Sequence, residues 1–378
     1  MSNVVKPTPH DLDDTVIVTE DALETLRSHI RGGIAGYLEP GRVPPSDPDT
    51  LLVDVHRFSE VSSYPLYSIE VRPSADAPVL LSAIAKFAPV FSDNNEGLTE
   101  YRHLSQMWER LGPAGELRVP RPLDFYEDIN ALVMQRVGGE RFSRVLLKEC
   151  SRFAPDEAAA RMADAARMCG EWLRAYHDTT ADGTMAPFSG SFLADVQGKL
   201  DYFGQLGFPP GVARRVRETV ERLADWGHAR RIAVADRHGD YGPQNVHRGD
   251  GYIYVFDLNY HVTAPVLEDV VYFLVTLETL NPYPSQWFLD RRRVMALRPP
   301  FLAGYFGDTP ADEVALLVEG YYLKALLFRC AKQRRNTSKR GALAERVFDA
   351  LRVRRYYPRR LSRQCALIDR LLDAGGGA

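Results

Sequence analysis

The stretch Val234-Ala-Asp-Arg-His-Gly-Asp-Tyr-Gly-Pro-Gln-Asn-Val246, followed by Tyr254-Val-Phe-Asp-Leu258, sets Asp240, Asn245 and Asp257 in one short, turn-rich window. Asp240 and Asn245 lie either side of Gly242-Pro243, and Asp257 closes an apolar, strand-like run, so a short hairpin would bring the three together. A hard divalent cation takes oxygen ligands and keeps several waters, so one carboxylate and one carboxamide suffice once phosphates complete its shell. Asn245 and Asp257 suit that task. Asp240 is left to take the proton from an attacking hydroxyl.

His238-Gly-Asp240, with Asn245 and then Asp257 beyond it, resembles the aminoglycoside phosphotransferase and choline kinase superfamily, whose fold is like that of protein kinases. There His-Gly-Asp stands where protein kinases carry His-Arg-Asp, and the second Asp need not be followed by Phe-Gly; here it is followed by Leu258-Asn259. The resemblance implies an α+β, two-lobed protein-kinase-like fold. It has a small antiparallel-sheet N-lobe and a larger, mostly helical C-lobe, with a helical C-terminal extension here. It also implies ATP and Mg²⁺ as cofactors, Asp240 as the catalytic residue, and Asn245 and Asp257 as the metal ligands.

The superfamily further needs a strand lysine on the nucleotide phosphates and a helical glutamate to hold it. Val79 to Phe87 is apolar and partly β-branched, and Lys86 near its end is the only lysine between Lys6 and Lys148. Beyond a polar loop, Leu98 to Leu111 has apolar residues at a helical period, with Glu100 in its first turn. Glu100 is favoured as the partner over Glu96, which suits a capping role. Asn130 to Glu140 is an apolar run broken at Gly138-Gly139. It resembles the superfamily's hinge, implying nucleotide contacts at Met134, Gln135 and Val137. Such contacts are mostly backbone, which suits ATP and GTP alike.

Two further segments fit the resemblance: the helical Cys169 to His177, and Pro265 to Leu274, where Asp269 would anchor the catalytic loop or cap a helix. His238 resembles the motif histidine that braces the loop. The phosphate-covering turn, Ser59 to Pro65, has no glycine; Ser62 and Ser63 stand in as its candidate phosphate donors, though any hairpin turn favours serine.

A chain of 378 residues exceeds what one core usually supports. Three segments are expected: an N-terminal helical extension (1–49), a kinase-like N-lobe (50–137) and a helical C-lobe with the catalytic loop and basic C-terminal helices (138–378). At 45% hydrophobic and 26% charged, the composition is that of an ordinary globular protein. No apolar run approaches a membrane span and the polar N-terminus is no signal peptide, so a cytoplasmic location is expected. Cys150, Cys169, Cys330 and Cys365 are scattered and read as reduced thiols.

The net charge of −3 hides an asymmetry. Between Lys324 and Arg363 stand 14 bases against Glu345 and Asp349 alone, so this segment carries +12 and the remainder −15. Such a run attracts an anionic ligand or the inner membrane surface, or else is a solvated face paired with the acidic remainder. Nothing points to specific nucleic acid. Since aminoglycoside-modifying enzymes hold polycations, the expected reaction is phosphoryl transfer to a neutral or anionic small-molecule hydroxyl: a sugar, sugar phosphate, amino alcohol or lipid-linked glycan. Aminoglycoside modification ranks second. A non-catalytic nucleotide-binding protein or membrane scaffold and a metal hydrolase built on His238, His247 and His261 with Asp240 and Asp257 are rivals of other classes.

Overall fold

A computed structural model describes residues 16–39, 47–59, 64–88, 95–205, 208–259, 262–280, 288–308, 310–336, 347 and 350–375. The chain forms two compact units, one of Met1–Ala114, Arg118–Gly138 and Phe256–Tyr260, the other of Gly115–Leu117, Gly139–Val255 and His261–Ala378.

The first unit contains helix α1 (Glu20–Tyr37), strands β1 (Leu52–Ser59), β2 (Leu66–Arg72) and β3 (Leu81–Phe87), and helix α2 (Glu96–Leu111). After the two-residue β4 (Leu117–Arg118) come β5 (Pro122–Tyr126) and β6 (Ala131–Gln135). Five of these strands pair antiparallel in the order β1-β2-β3-β6-β5. Thr19 starts α1 by accepting the Ala22 N–H (3.2 Å), and Glu20 and Asp21 in the first turn suit the helix dipole. Leu23, Leu26, Ile30, Ile34 and Tyr37 recur every three or four residues and are buried. They share one apolar core with Ile69, Val71, Ala83, Ala85 and Val133 of the sheet. The helix expected as part of an N-terminal extension therefore covers the sheet.

The second unit runs β7 (Glu140–Arg141), α3 (Phe142–Glu149), α4 (Glu157–Thr180), β8 (Met185–Pro187), α5 (Ser189–Gln205), α6 (Pro210–Gly227) and β9 (Arg231–Asp236). Then follow β10 (Val246–Arg248), β11 (Ile253–Val255), β12 (Thr263–Pro265), α7 (Leu267–Thr279), α8 (Arg291–Met295), α9 (Arg298–Phe306) and α10 (Asp312–Asn336). A π-helical turn, Arg352–Tyr356, leads into α11 (Tyr357–Gly375). β10 and β11 form an antiparallel hairpin pairing Val246 with Val255, and β7 joins β10. A second small sheet, β12-β9-β8, was not foreseen from the sequence. β8 and β12 are three residues each and end in Pro187 and Pro265, too short to show a period and typical of edges.

Helices α4 and α9 cross at glycines. A Cβ on Gly170 would run into the Phe301 carbonyl, and one on Gly304 into the Arg167 carbonyl. The buried side of α10 is ion-paired: Lys324 bonds Asp195 (2.7 Å) and Glu268 (2.9 Å). On α11, Arg360 bonds Glu278 (2.6 Å). Part of the positive charge of 324–363 is thus matched internally, while Arg354, Arg355, Arg359 and Arg363 are exposed. Among the described residues no helix is long and apolar enough to cross a membrane.

Candidate active site

In the first unit, Lys86 of β3 is 6% exposed and carries two carboxylates. Its Nζ donates to Glu100 Oε2 at 2.6 Å and to Asp257 Oδ1 at 2.5 Å. Burial alone would lower the pKa of this ammonium; Asp257 and Glu100 outweigh it and hold the pKa above its ordinary value. Burial pushes the Glu100 carboxyl up, against the pull of Lys86. Of the two glutamates weighed from the sequence, Glu100 reaches the lysine. Glu96 is the first residue of α2, where it accepts the Tyr64 hydroxyl (2.6 Å), and Asn95 provides the cap by accepting the Leu98 N–H.

Asp257 has a left-handed backbone, φ +69°. Outside glycine this conformation is uncommon, and Asp is among the residues that tolerate it. His103, one turn on from Glu100, is buried and donates Nδ1–H to the Leu258 carbonyl (3.0 Å). One face of α2 thus holds Asp257 through Lys86 and the next residue directly. His103 was not singled out from the sequence, although its three-residue spacing from Glu100 was a signal.

At the hinge, Met134 is buried in β6 and Gln135 ends the strand. The Gln135 N–H donates to the Arg121 carbonyl (2.8 Å) and the Arg136 N–H to the Ser82 carbonyl (3.0 Å). Val137 follows the strand, half-buried, and its N–H makes no hydrogen bond among the described residues. Ser62 and Ser63 lie outside the described residues.

In the second unit the loop between β9 and β10 is gripped by α7. Asp269, fully buried, accepts the backbone N–H of His238 (2.7 Å) and of Gly239 (3.0 Å), and His177 Nε2 lies 3.4 Å away. Burial would raise its pKa; His177, Arg237 and His238 prevail and keep it below the usual carboxylate range. Gly239 has φ +76°, a conformation that an arginine at this position would adopt only under strain. The His238 ring packs against Trp172, Tyr176 and Tyr241.

Asp240 is held at both oxygens. Tyr272 of α7 donates its hydroxyl to Oδ1, and Asn245 Nδ2 donates to Oδ2 (3.2 Å) and to the Asp240 carbonyl (3.0 Å). Burial and the facing Asp240 carboxylate raise the Tyr272 pKa well above its ordinary value. Tyr272 was missed from the sequence; it follows Asp269 by three residues and so shares its helix face. Arg237 and Arg248, beside the loop, are taken by Glu268 (2.8 Å) and Glu149 (3.1 Å). Among the described residues no group of three or more His, Cys, Asp or Glu is placed to hold a metal ion, and His261 lies outside them.

The model of the phosphotransferase enzyme family, APH, matches residues 80–315, more than half of the chain. Among solved structures, a candidate aminoglycoside phosphotransferase from Ralstonia eutropha superposes with TM-score 0.55 at 12% identity, over 91% of this chain and 98% of that one. A glucosamine kinase in complex with glucosamine, ADP and inorganic phosphate gives 0.53 at 16%, over 93% and 82%. A choline/ethanolamine kinase family protein from Mesorhizobium loti gives 0.50 at 15%, over 93% and 98%. At such identities the likeness speaks for the fold: two-lobed and α+β, with an antiparallel sheet in one part and mostly helices in the other. No curated protein matched. On its sequence match the chain belongs to the phosphotransferase enzyme family.

Proposed function

We propose that this protein is a small-molecule kinase that transfers the γ-phosphoryl group of ATP, as its magnesium complex, to a hydroxyl of a neutral or anionic acceptor. The observation that carries the reading is the buried Lys86, bonded at once to Glu100 and to an Asp257 held in a left-handed backbone. A lysine fixed by carboxylates at the end of a strand is what the phosphates of a nucleotide require, and kinase-type phosphoryl transfer rests on such positioning.

The donors present fit the metal. Asn245 commits its amide nitrogen to Asp240 and its Oδ1 accepts no hydrogen bond among the described residues, which suits an oxygen ligand. Asp257 supplies a carboxylate. Mg²⁺, when bound, would neutralise charge on the phosphate oxygens. Lys86 would hold the phosphates, and the Val137 N–H would be offered to the adenine edge. Asp240, fixed by Tyr272 and Asn245, would align the acceptor hydroxyl and take its proton as the O–P bond forms.

Calorimetry with Mg-ATP tests the nucleotide half. Asp257→Ala is expected to weaken binding on the order of 30-fold, about 2 kcal/mol, and Asp240→Asn to leave it within about threefold. Binding by Asp257→Ala equal to the wild type would remove Asp257 from the metal.

A further inference from the structure

Arg329, on α10, is half-buried and makes neither an ion pair nor a hydrogen bond among the described residues. Its peers behave differently: Arg298 bonds Glu319 (2.6 Å), Arg360 bonds Glu278 (2.6 Å), Arg237 bonds Glu268 and Arg248 bonds Glu149. A guanidinium that has given up part of its hydration ordinarily regains it from a carboxylate. Among the described residues Arg329 has nothing in that place. Glu278, on α7, is already bonded by Arg360, Tyr322 and Tyr356.

Its position adds the second observation. Helix α10 packs along α7, the helix whose Tyr272 holds Asp240. Arg329 is close enough to Tyr272 to draw the pKa of that hydroxyl down, and together with Arg352 it does the same to Tyr357. Arg352 donates to the carbonyl of Thr279, the last residue of α7 (3.0 Å), and Tyr357 donates its hydroxyl to Gln333 on α10 (2.9 Å). Two cations from separate elements therefore converge on Tyr357, and one of them, Arg329, has no counter-ion among the described residues.

We propose that Arg329 binds an anionic group, phosphate or carboxylate, carried by the acceptor whose hydroxyl is offered to Asp240. The planar fork of a guanidinium matches both groups in bidentate fashion. Naming the acceptor class in this way rests on the kinase reading; the anion site itself does not.

Two measurements separate the claims. In thermal unfolding at constant ionic strength, inorganic phosphate is expected to raise Tm of the wild type and to lose that effect in Arg329→Gln. Should Arg329→Gln not fold, Arg329→Lys serves, with phosphate affinity reduced several-fold because the fork is lost. In ADP release with matched hydroxy compounds that differ only in a phosphate or carboxylate, the charged member is expected to be preferred about tenfold in kcat/KM. Arg329→Gln removes the preference by raising KM for that member, with KM for Mg-ATP unchanged. Equal phosphate responses in wild type and variant, or turnover without charge preference, overturn the proposal. An Arg329-dependent phosphate response with no turnover of any compound keeps the anion site and counts against the kinase reading.

Discussion

Tyr272 donates its phenolic hydroxyl to Oδ1 of Asp240, so the carboxylate at the centre of the loop is fixed by a helix rather than by the loop alone. A hydrogen bond to a charged group is worth about 1.5 to 3 kcal/mol. Tyr272→Phe keeps the ring and removes only that bond. Expected is a fall in kcat of roughly tenfold with KM for Mg-ATP unchanged, read by steady-state kinetics; an unaltered kcat would show that Asn245 suffices.

Three residues before Tyr272, Asp269 holds the backbone of His238 and Gly239. Its pKa is depressed in the folded protein. A depressed carboxylate contributes stability that is present above its unfolded pKa, near 3.9, and lost as pH falls through the lower folded value. Asp269→Asn should therefore be less stable at neutral pH and should lose stability less steeply below about pH 4. Urea unfolding at pH 7 and pH 3 measures both; parallel acid slopes in wild type and variant would contradict the assignment.

The buried pair in the first unit makes a different prediction. Lys86→Met leaves Glu100, 2% exposed, without its cation, and breaking a buried pair from one side costs about 3 to 5 kcal/mol. Adding Glu100→Gln to Lys86→Met removes the stranded charge, so the double variant should recover part of the loss in denaturant unfolding. A double variant less stable than the single one would speak against this coupling.

How far the sequence could be read depended on how local each signal was. Lys86 stood out because it is isolated on an apolar run, and Glu100 because it lies near the start of an amphipathic helix. A helical N-terminal extension was expected, but not that α1 would cover the sheet, since a helix read from sequence does not name its packing partner. Tyr272 and His103 are single polar residues on helices whose periodicity was already explained by burial, so only their distance from Asp269 and Glu100 marked them. β8 and β12 left no pattern at three residues each. The basic run was legible as charge, but the pairing of Lys324 and Arg360 within it depends on contacts with Asp195, Glu268 and Glu278, far away in the chain.

The crossing of α4 and α9 depends on Gly304, whose added methyl would meet the Arg167 carbonyl. Backbone cannot yield as a side chain can, so Gly304→Ala should cost about 3 kcal/mol or more. Thermal unfolding tests this, and a variant with wild-type Tm would mean that the helices separate at little cost.

The most direct test of the kinase reading is ADP release from Mg-ATP across a panel of sugars, sugar phosphates, amino alcohols, nucleosides and aminoglycosides, run beside Asp240→Asn. Expected is turnover with at least one hydroxyl compound, lowered in the variant by a factor on the order of 10³, while calorimetry shows Mg-ATP still bound. Turnover by Asp240→Asn at the wild-type rate would contradict the role given to Asp240.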